Sequence, residues 1–183
     1  MLLRKQGRVL AVILLLVASA AGATIPLDWA ALPPLPNPDG VAGIFAGFHN
    51  NAVIAAGGAN FSEPVWESPK VFHDDIYVLI GREGTDCRWI HGGKLPRPVA
   101  YGASASTSRG VVCLGGNDAD ECFRDAFLMQ WQEQEQSVVM QPLPPLPAPC
   151  TNSTAAVIRD RVYVAGRDLA ALDADAGLLD EAV

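Results

Sequence analysis

Short apolar runs that stop at glycine set the rhythm of this chain. The clearest is Val53-Ile54-Ala55-Ala56-Gly57-Gly58-Ala59-Asn60, β-rich and then abruptly polar. It recurs as Val111-Val112-Cys113-Leu114-Gly115-Gly116-Asn117-Asp118 and, altered, as Val162-Tyr163-Val164-Ala165-Gly166-Arg167-Asp168. Runs of this length and composition predict buried strands. The glycines that close them suit positive φ, or a backbone approach that a Cβ would block. Three copies in one chain predict a repeat architecture.

Other landmarks keep step. Leu-Pro occurs at Leu35-Pro36, Leu95-Pro96 and Leu146-Pro147, and upstream of each stands a large apolar residue: Trp29, Trp89 and Met140. After each glycine pair come an Asp and an apolar run, at Asp75 to Leu79, at Asp125 to Met129 and, more weakly, at Asp168 to Leu172. One unit therefore reads as four strands. The first follows the Pro-rich corner (Tyr101 to Ser106 in the second unit), and the second ends at the glycine pair. The third starts at the Asp, and the fourth holds the Trp or Met. Four short strands in about 50 residues make the kelch-type blade of a β-propeller. The predicted fold is all-β, with blades at 35–91, 95–141 and 146–172. A strand at 25–30, bearing Trp29, would close the ring. The proline runs Leu32 to Pro38 and Leu143 to Pro149 read as stiff corners between blades rather than as ligands for peptide-binding domains. Closed propellers have about four to eight blades, so the chain reads as a truncated copy rather than as one of two copies that share a ring. Uncovered blade edges are expected to promote self-association.

Composition narrows the classes. With 183 residues, half of them hydrophobic, and a formal charge of −7, the chain can bury one real core. No block of Lys or Arg marks a nucleic-acid surface. The N-terminus carries Arg4, Lys5 and Arg8, then the apolar stretch Val9 to Val17, then Ala18-Ser19-Ala20 and Ala21-Gly22-Ala23. This is the plan of a secretory signal over 1–23, and the stretch is short for a membrane span. The expectation is an exported protein, periplasmic or secreted, off the membrane after cleavage. Export would permit Cys87, Cys113, Cys122 and Cys150 to form disulfides, Cys113–Cys122 among the three possible pairings, but Cys113 sits in a predicted core strand and reads as a small buried hydrophobe.

At this point the sequence resembles a known family. Leu35-Pro36-Asn37-Pro38-Asp39-Gly40-Val41-Ala42-Gly43, Ala55 to Phe61, Val71-Phe72-His73-Asp74-Asp75-Ile76-Tyr77-Val78-Leu79, Lys94 to Gly102 and Val112 to Asp120 carry the likeness. It is to the kelch-type sugar mutarotases of the N-acetylneuraminate epimerase group, cyclically permuted members in particular. The resemblance implies a six-bladed, exported propeller that interconverts the anomers of sialic acid without metal or organic cofactor. The acidic residue that the family uses as proton acceptor has no counterpart in these motifs.

Anomerisation removes a proton from the anomeric hydroxyl and gives one to the ring oxygen, work suited to carboxylates, His or Tyr. Candidates for it are His73 and Asp74, read as an acid–base pair. A sugar carboxylate suits an Arg fork, which singles out Arg97 at the Pro-rich corner and, less directly, Arg124. Asn60 and Asn117, each just after a glycine pair, and Tyr101 complete the substrate-binding candidates. Asn60 and Asn117 also suit tight turns, and Tyr101 suits core packing. His49, His73 and His91 show no zinc spacing, and no nucleophile elbow or phosphate loop is present. The alternative to an enzyme is a non-catalytic kelch module that binds a carbohydrate or a protein.

Overall fold

The computed structural model describes residues 29–81 and 86–166. The chain divides into residues 1–31 and 32–183. Of the first part only Trp29 to Ala31 are described, and none of them lies in a strand.

The described residues of the second part are all β. Its first sheet runs β1 (Phe45–His49), β2 (Ala52–Ala56), β5 (Asp75–Ile80) and β6 (Arg88–Lys94), in that spatial order. Its second sheet places β7 (Ala103–Thr107), β8 (Gly110–Leu114), β9 (Ala126–Gln132) and β10 (Ser137–Pro142) side by side. Every pairing is antiparallel. These are the two complete four-stranded blades expected from the repeat. β11 (Thr154–Ile158) and β12 (Arg161–Ala165) form the inner pair of a third. Trp89 and Met140 sit on the fourth strands β6 and β10, as their spacing predicts.

Three expectations need correction. The first blade carries an extra ribbon between its second and third strands, β3 (Ala59–Phe61) paired with β4 (Lys70–Phe72). Tyr101 does not lie on the inner strand. It precedes β7 at φ +63°, in a conformation incompatible with strand pairing, and its N–H donates to the Gly43 carbonyl at 2.7 Å. Cys113, in β8, is the small buried hydrophobe that its place in a core strand predicts, and it forms no disulfide. It is fully buried between blades, and its S–H faces the Val111 carbonyl of its own strand. Trp29 is 86 % exposed and outside any strand. The rest of the expected closing strand, residues 25–28, lies outside the described residues. So do the expected signal segment and the run Asp168 to Leu172.

The main core is the face between the first two blades. Phe45, Ile54, Ile76 and Val78 from one meet Val111, Met129, Trp131 and Val138 from the other. Phe45 meets Phe127 edge to face, ring centres 5.6 Å apart. A smaller cluster joins Ala103, Leu114 and Ala126 to Ala155 and Val162 of the third blade. Because blades bury both faces, strands such as β8 are buried almost throughout instead of alternating.

Polar stitching runs beside this packing. The Ser104 hydroxyl accepts from the Ala46 N–H at 3.0 Å and donates to the Ala46 carbonyl at 2.8 Å. Ser106 accepts from the Phe48 N–H at 2.8 Å. Two hydroxyls on β7 thus satisfy the exposed edge of β1. The β1–β2 hairpin turns on Asn50 and Asn51, both at positive φ, the pattern of a two-residue type I′ turn. Buried His49 accepts the Trp131 N–H on its Nδ1 at 3.0 Å.

The glycine pairs make the joint between blades. Gly57 N–H donates to Asp75 and Gly115 N–H to Asp125, each at the start of its own third strand. The second glycines reach across: Gly58 N–H donates to Val99 at 2.8 Å, and Gly116 N–H to Cys150 at 2.7 Å. All four glycines have positive φ, and a methyl on Gly57 or Gly115 would run into the Val99 or Cys150 carbonyl oxygen. Gly115→Ala should therefore lower stability by about 2 kcal/mol or more. Gly40→Ala, also at positive φ but facing open space, should cost about 1 kcal/mol. Urea unfolding of the two variants checks the difference, and equal losses would contradict it.

A pH prediction follows from His49. Burial lowers its pKa below the ordinary 6.5, and its Nδ1 must stay unprotonated to accept from Trp131. A depressed folded pKa means that the contribution is present above pH 6.5 and is lost as pH falls through the folded value. Thermal denaturation between pH 7 and 5 should show falling stability in the wild type and a flatter profile in His49→Asn. Parallel profiles would exclude His49 as the cause.

Candidate functional site

With four antiparallel strands per blade, the loops after the second and fourth strands share one end of the molecule. Every candidate residue from the sequence lies on those loops or at their borders. That end also carries the joints, so its backbone is held by hydrogen bonds on both sides.

In the first blade, Asn37, Asn60 and His73 form a chain. Asn60 Nδ2 donates to the Gly40 carbonyl at 2.8 Å and to Asn37 Oδ1 at 3.3 Å. Its Oδ1 lies 2.8 Å from His73 Nε2. Since the Gly40 carbonyl can only accept, the amide turns its nitrogen there and its oxygen to the histidine. His73 Nε2 is then the donor, which leaves Nδ1 as the basic nitrogen of the neutral ring. Asp74 points elsewhere: its carboxylate accepts from Lys94 Nζ at 2.7 Å. The adjacent pair His73-Asp74 is thus divided between two partners. Lys94 also reaches Asp75 at 3.4 Å, and His91 Nε2 meets the same Asp75 oxygen at 3.2 Å. Burial pulls the Asp75 pKa upward, but the His91 bond and the Lys94 charge outweigh it and hold it below the ordinary value. The bond to Asp74 raises the Lys94 pKa.

Beside this chain the Tyr101 ring covers Gly43, meets Phe72 edge to face and lies 5.0 Å under Lys70 Nζ. Lys70 also stands 5.5 Å from the Phe61 ring. The extra ribbon therefore brings Phe61, Lys70 and Phe72 to Tyr101, a grouping that only the ribbon's pairing reveals.

In the second blade the same places hold different groups. Phe123 N–H donates to Gly116, as His73 N–H does to Gly58, so Phe123 stands where His73 stands. Arg97 occupies the corner position of Asn37 and stacks its guanidinium 4.5 Å from the Phe123 ring centre. It reaches Asp125 at 3.1 Å and Glu121 at 3.6 Å. Asp118 stands where Asn60 stands and accepts from the Asp120 and Glu121 N–H groups at 2.9 Å. Those bonds, with the more distant Arg97 charge, hold its pKa below the ordinary value. Arg97 rims a cleft of about 630 Å³ floored by Leu95, Val99, Phe127, Met140 and Leu143, a size that suits small ligands.

Asn117 is not the equivalent of Asn60. It pairs with Ala100 as Ala59 pairs with Ala42, one position earlier. Its Nδ2 donates to the Asp118 carbonyl at 2.8 Å, and its Oδ1 accepts from buried Thr151 at 2.6 Å. It ties the second blade to the corner of the third. Arg124 is exposed, and its backbone carbonyl accepts from Leu146. Thr151, Asn37 and Lys70 were not singled out by spacing. Asn37 carried a signal all the same, as the polar residue between the prolines of the first corner. Among the described residues no group of three or more His, Cys, Asp or Glu is placed to hold a metal ion.

Repeated blades, the glycine joints and the loop-end site define a kelch-type β-propeller. Comparison with known proteins agrees: the solved structure of YjhT matches at TM-score 0.55 and 29 % identity, over 65 % of this chain and 36 % of that one. The chain is also homologous to N-acetylneuraminate epimerases. That of Vibrio cholerae is 36 % identical over 129 residues, 61 % of this chain and 32 % of its own length. That of Brucella suis is 35 % identical over 122 residues, 58 % of this chain and 30 % of its own length. N-acetylneuraminate epimerase 1 of Escherichia coli is 28 % identical over 125 residues. The chain thus spans about a third of the length of these curated relatives. No family model matches.

Proposed function

We propose that the chain is an exported module of a sugar mutarotase, which interconverts the anomers of N-acetylneuraminate at the loop end of the propeller. The relatives' shared name and the His73 environment support this reading. A neutral imidazole whose Nε2–H is held by Asn60 presents Nδ1 as a base. In the proposed reaction a base takes the proton of the anomeric hydroxyl as the C–O bond to the ring oxygen breaks, and an acid protonates that oxygen. The open keto form turns about the adjoining C–C bond and recloses by the reverse transfers. Atoms balance with no cofactor, and the substrate is a small anionic sugar. His73 is assigned the base, with Asn60 positioning it and Lys70 supplying a cation nearby.

Arg97 fits a lesser role than a free Arg fork would. Two carboxylates already face it, so recruiting a sugar carboxylate there requires displacing one of them. That same pairing favours the second reading, a kelch module that binds a glycan without turnover. Time-resolved NMR of freshly released N-acetylneuraminate anomer separates the two. Under the mutarotase reading the purified chain speeds equilibration, and His73→Phe lowers the catalysed rate by roughly 10²-fold. Binding of the sugar with an unchanged spontaneous rate would leave the module reading and remove the enzyme.

A further inference from the structure

The proposed reaction leaves unused the cleft that Arg97 rims. Its two walls come from neighbouring blades. One wall is the corner Leu95 to Val99, which leads out of the first blade. There the Leu95 N–H donates to the Asp74 carbonyl at 2.7 Å, and the Val99 N–H to the His73 carbonyl at 3.1 Å. The other wall is the end of the second blade's outer strands, with Phe127 on β9 and Met140 and Pro142 on β10. Beside it the Leu143 N–H donates to the Ala126 carbonyl at 2.8 Å. Backbone bonds pin both walls, so the cleft of about 630 Å³ is preformed, as small-ligand sites usually are.

The corresponding place in the first blade holds an aromatic ring. Trp89 pairs with Leu79, and Leu79 with Val53, just as Met140 pairs with Met129, and Met129 with Val111. Val53 and Val111 each stand four residues before the first glycine of their pair. Trp89 and Met140 are therefore equivalent. The Trp89 indole reaches the proline corner on its own side and donates its Nε1–H to the Pro33 carbonyl at 2.9 Å. In the second blade an unbranched thioether stands in that position, and the space beside the corner is open. Charge at the rim then selects among ring-bearing ligands. Arg97 and Asp125 are the charged side chains that line the cleft. Arg97 is already paired with both Asp125 and Glu121. Two carboxylates against one guanidinium leave a negative excess, which favours a cation over an anion.

We propose that this cleft is a second binding site, which takes a small aromatic amine. The ring lies between Leu95 and Val99 on one side and Phe127 and Met140 on the other, where aromatic and sulfur contacts add to apolar burial. The ammonium group joins Arg97 at the Asp125 carboxylate. The inference rests on the repeat and the cleft, and not on the proposed activity.

Titration of the purified chain with tryptamine, followed by methyl NMR of isotope-labelled methionine, tests it. Met140 lines the cleft and Met129 is fully buried in the core, so the two methyls separate local binding from a general change. Tryptamine should move the Met140 signal and leave Met129 in place. It should bind about three- to fivefold tighter than tryptophol, its neutral alcohol analogue, which is the gain a half-exposed ion pair gives. Indoleacetate, the anionic analogue, should bind more weakly than either. Met140→Trp supplies from within the chain the ring that the first blade has, and by equilibrium dialysis it should bind none of the three. Asp125→Asn gives a reading that does not depend on that bulky change. It keeps the backbone carbonyl that Gly115 uses and should abolish the preference for the amine while ring binding persists. A Met140 signal unmoved by millimolar tryptamine, Met129 and Met140 shifting together, equal affinity for the three probes, or undiminished binding in Met140→Trp would each overturn the inference. None of these outcomes depends on the anomer assay, so this site and the proposed catalysis can fail separately.

Discussion

One short contact organises the molecule: an N–H of a glycine, held at positive φ, reaching the carbonyl of the next blade's corner. Blade faces alone are non-directional, since apolar packing tolerates sliding and rotation. The joint at Gly58 and Val99, and again at Gly116 and Cys150, fixes register where packing does not. It also explains why two glycines are needed. The first lets the chain pass so close to the neighbouring corner that a Cβ has no room, and the second aims its N–H outward. Each buried N–H left unpaired there would cost roughly 1–3 kcal/mol, so the joint is favoured by what its absence would expose.

The site inherits its position from this constraint. The same loops that form joints carry Asn60, His73, Arg97 and Asn117, and each blade decorates one shared backbone differently. The first blade places an amide–imidazole chain at the joint, and the second an Arg–Phe stack between carboxylates. A propeller thereby varies its chemistry without disturbing its frame. The price of such a frame is that it is one-dimensional: a blade at either end of an arc is half dressed.

Much of this was legible in the residues. The four-stranded sheets of the first two blades followed from the spacing of Leu-Pro, Gly-Gly and Asp, because each marks a place where backbone geometry admits few substitutes. What stayed hidden was whatever depends on three-dimensional neighbours. The ribbon of β3 and β4 breaks the four-strand count because nothing between Asn60 and Lys70 repeats elsewhere. Tyr101 reads as a strand residue by composition, yet the approach of Gly43 bends the backbone into positive φ. Asn60 and Asn117 look equivalent in sequence and are one position out of register. His73-Asp74 reads as a pair, but consecutive side chains leave an extended backbone on opposite sides. Pairing follows the face, so one residue finds Asn60 and the other Lys94.

Amide hydrogen exchange at Gly58 and Gly116 tests the joint most directly. Both amides sit outside the strands, where loop N–H groups ordinarily exchange fast. If they hold the blades together, both should be protected to the same degree as the core amides of β2 and β8. Rapid exchange at both glycines beside slowly exchanging strands would show that the blades are held by their faces alone.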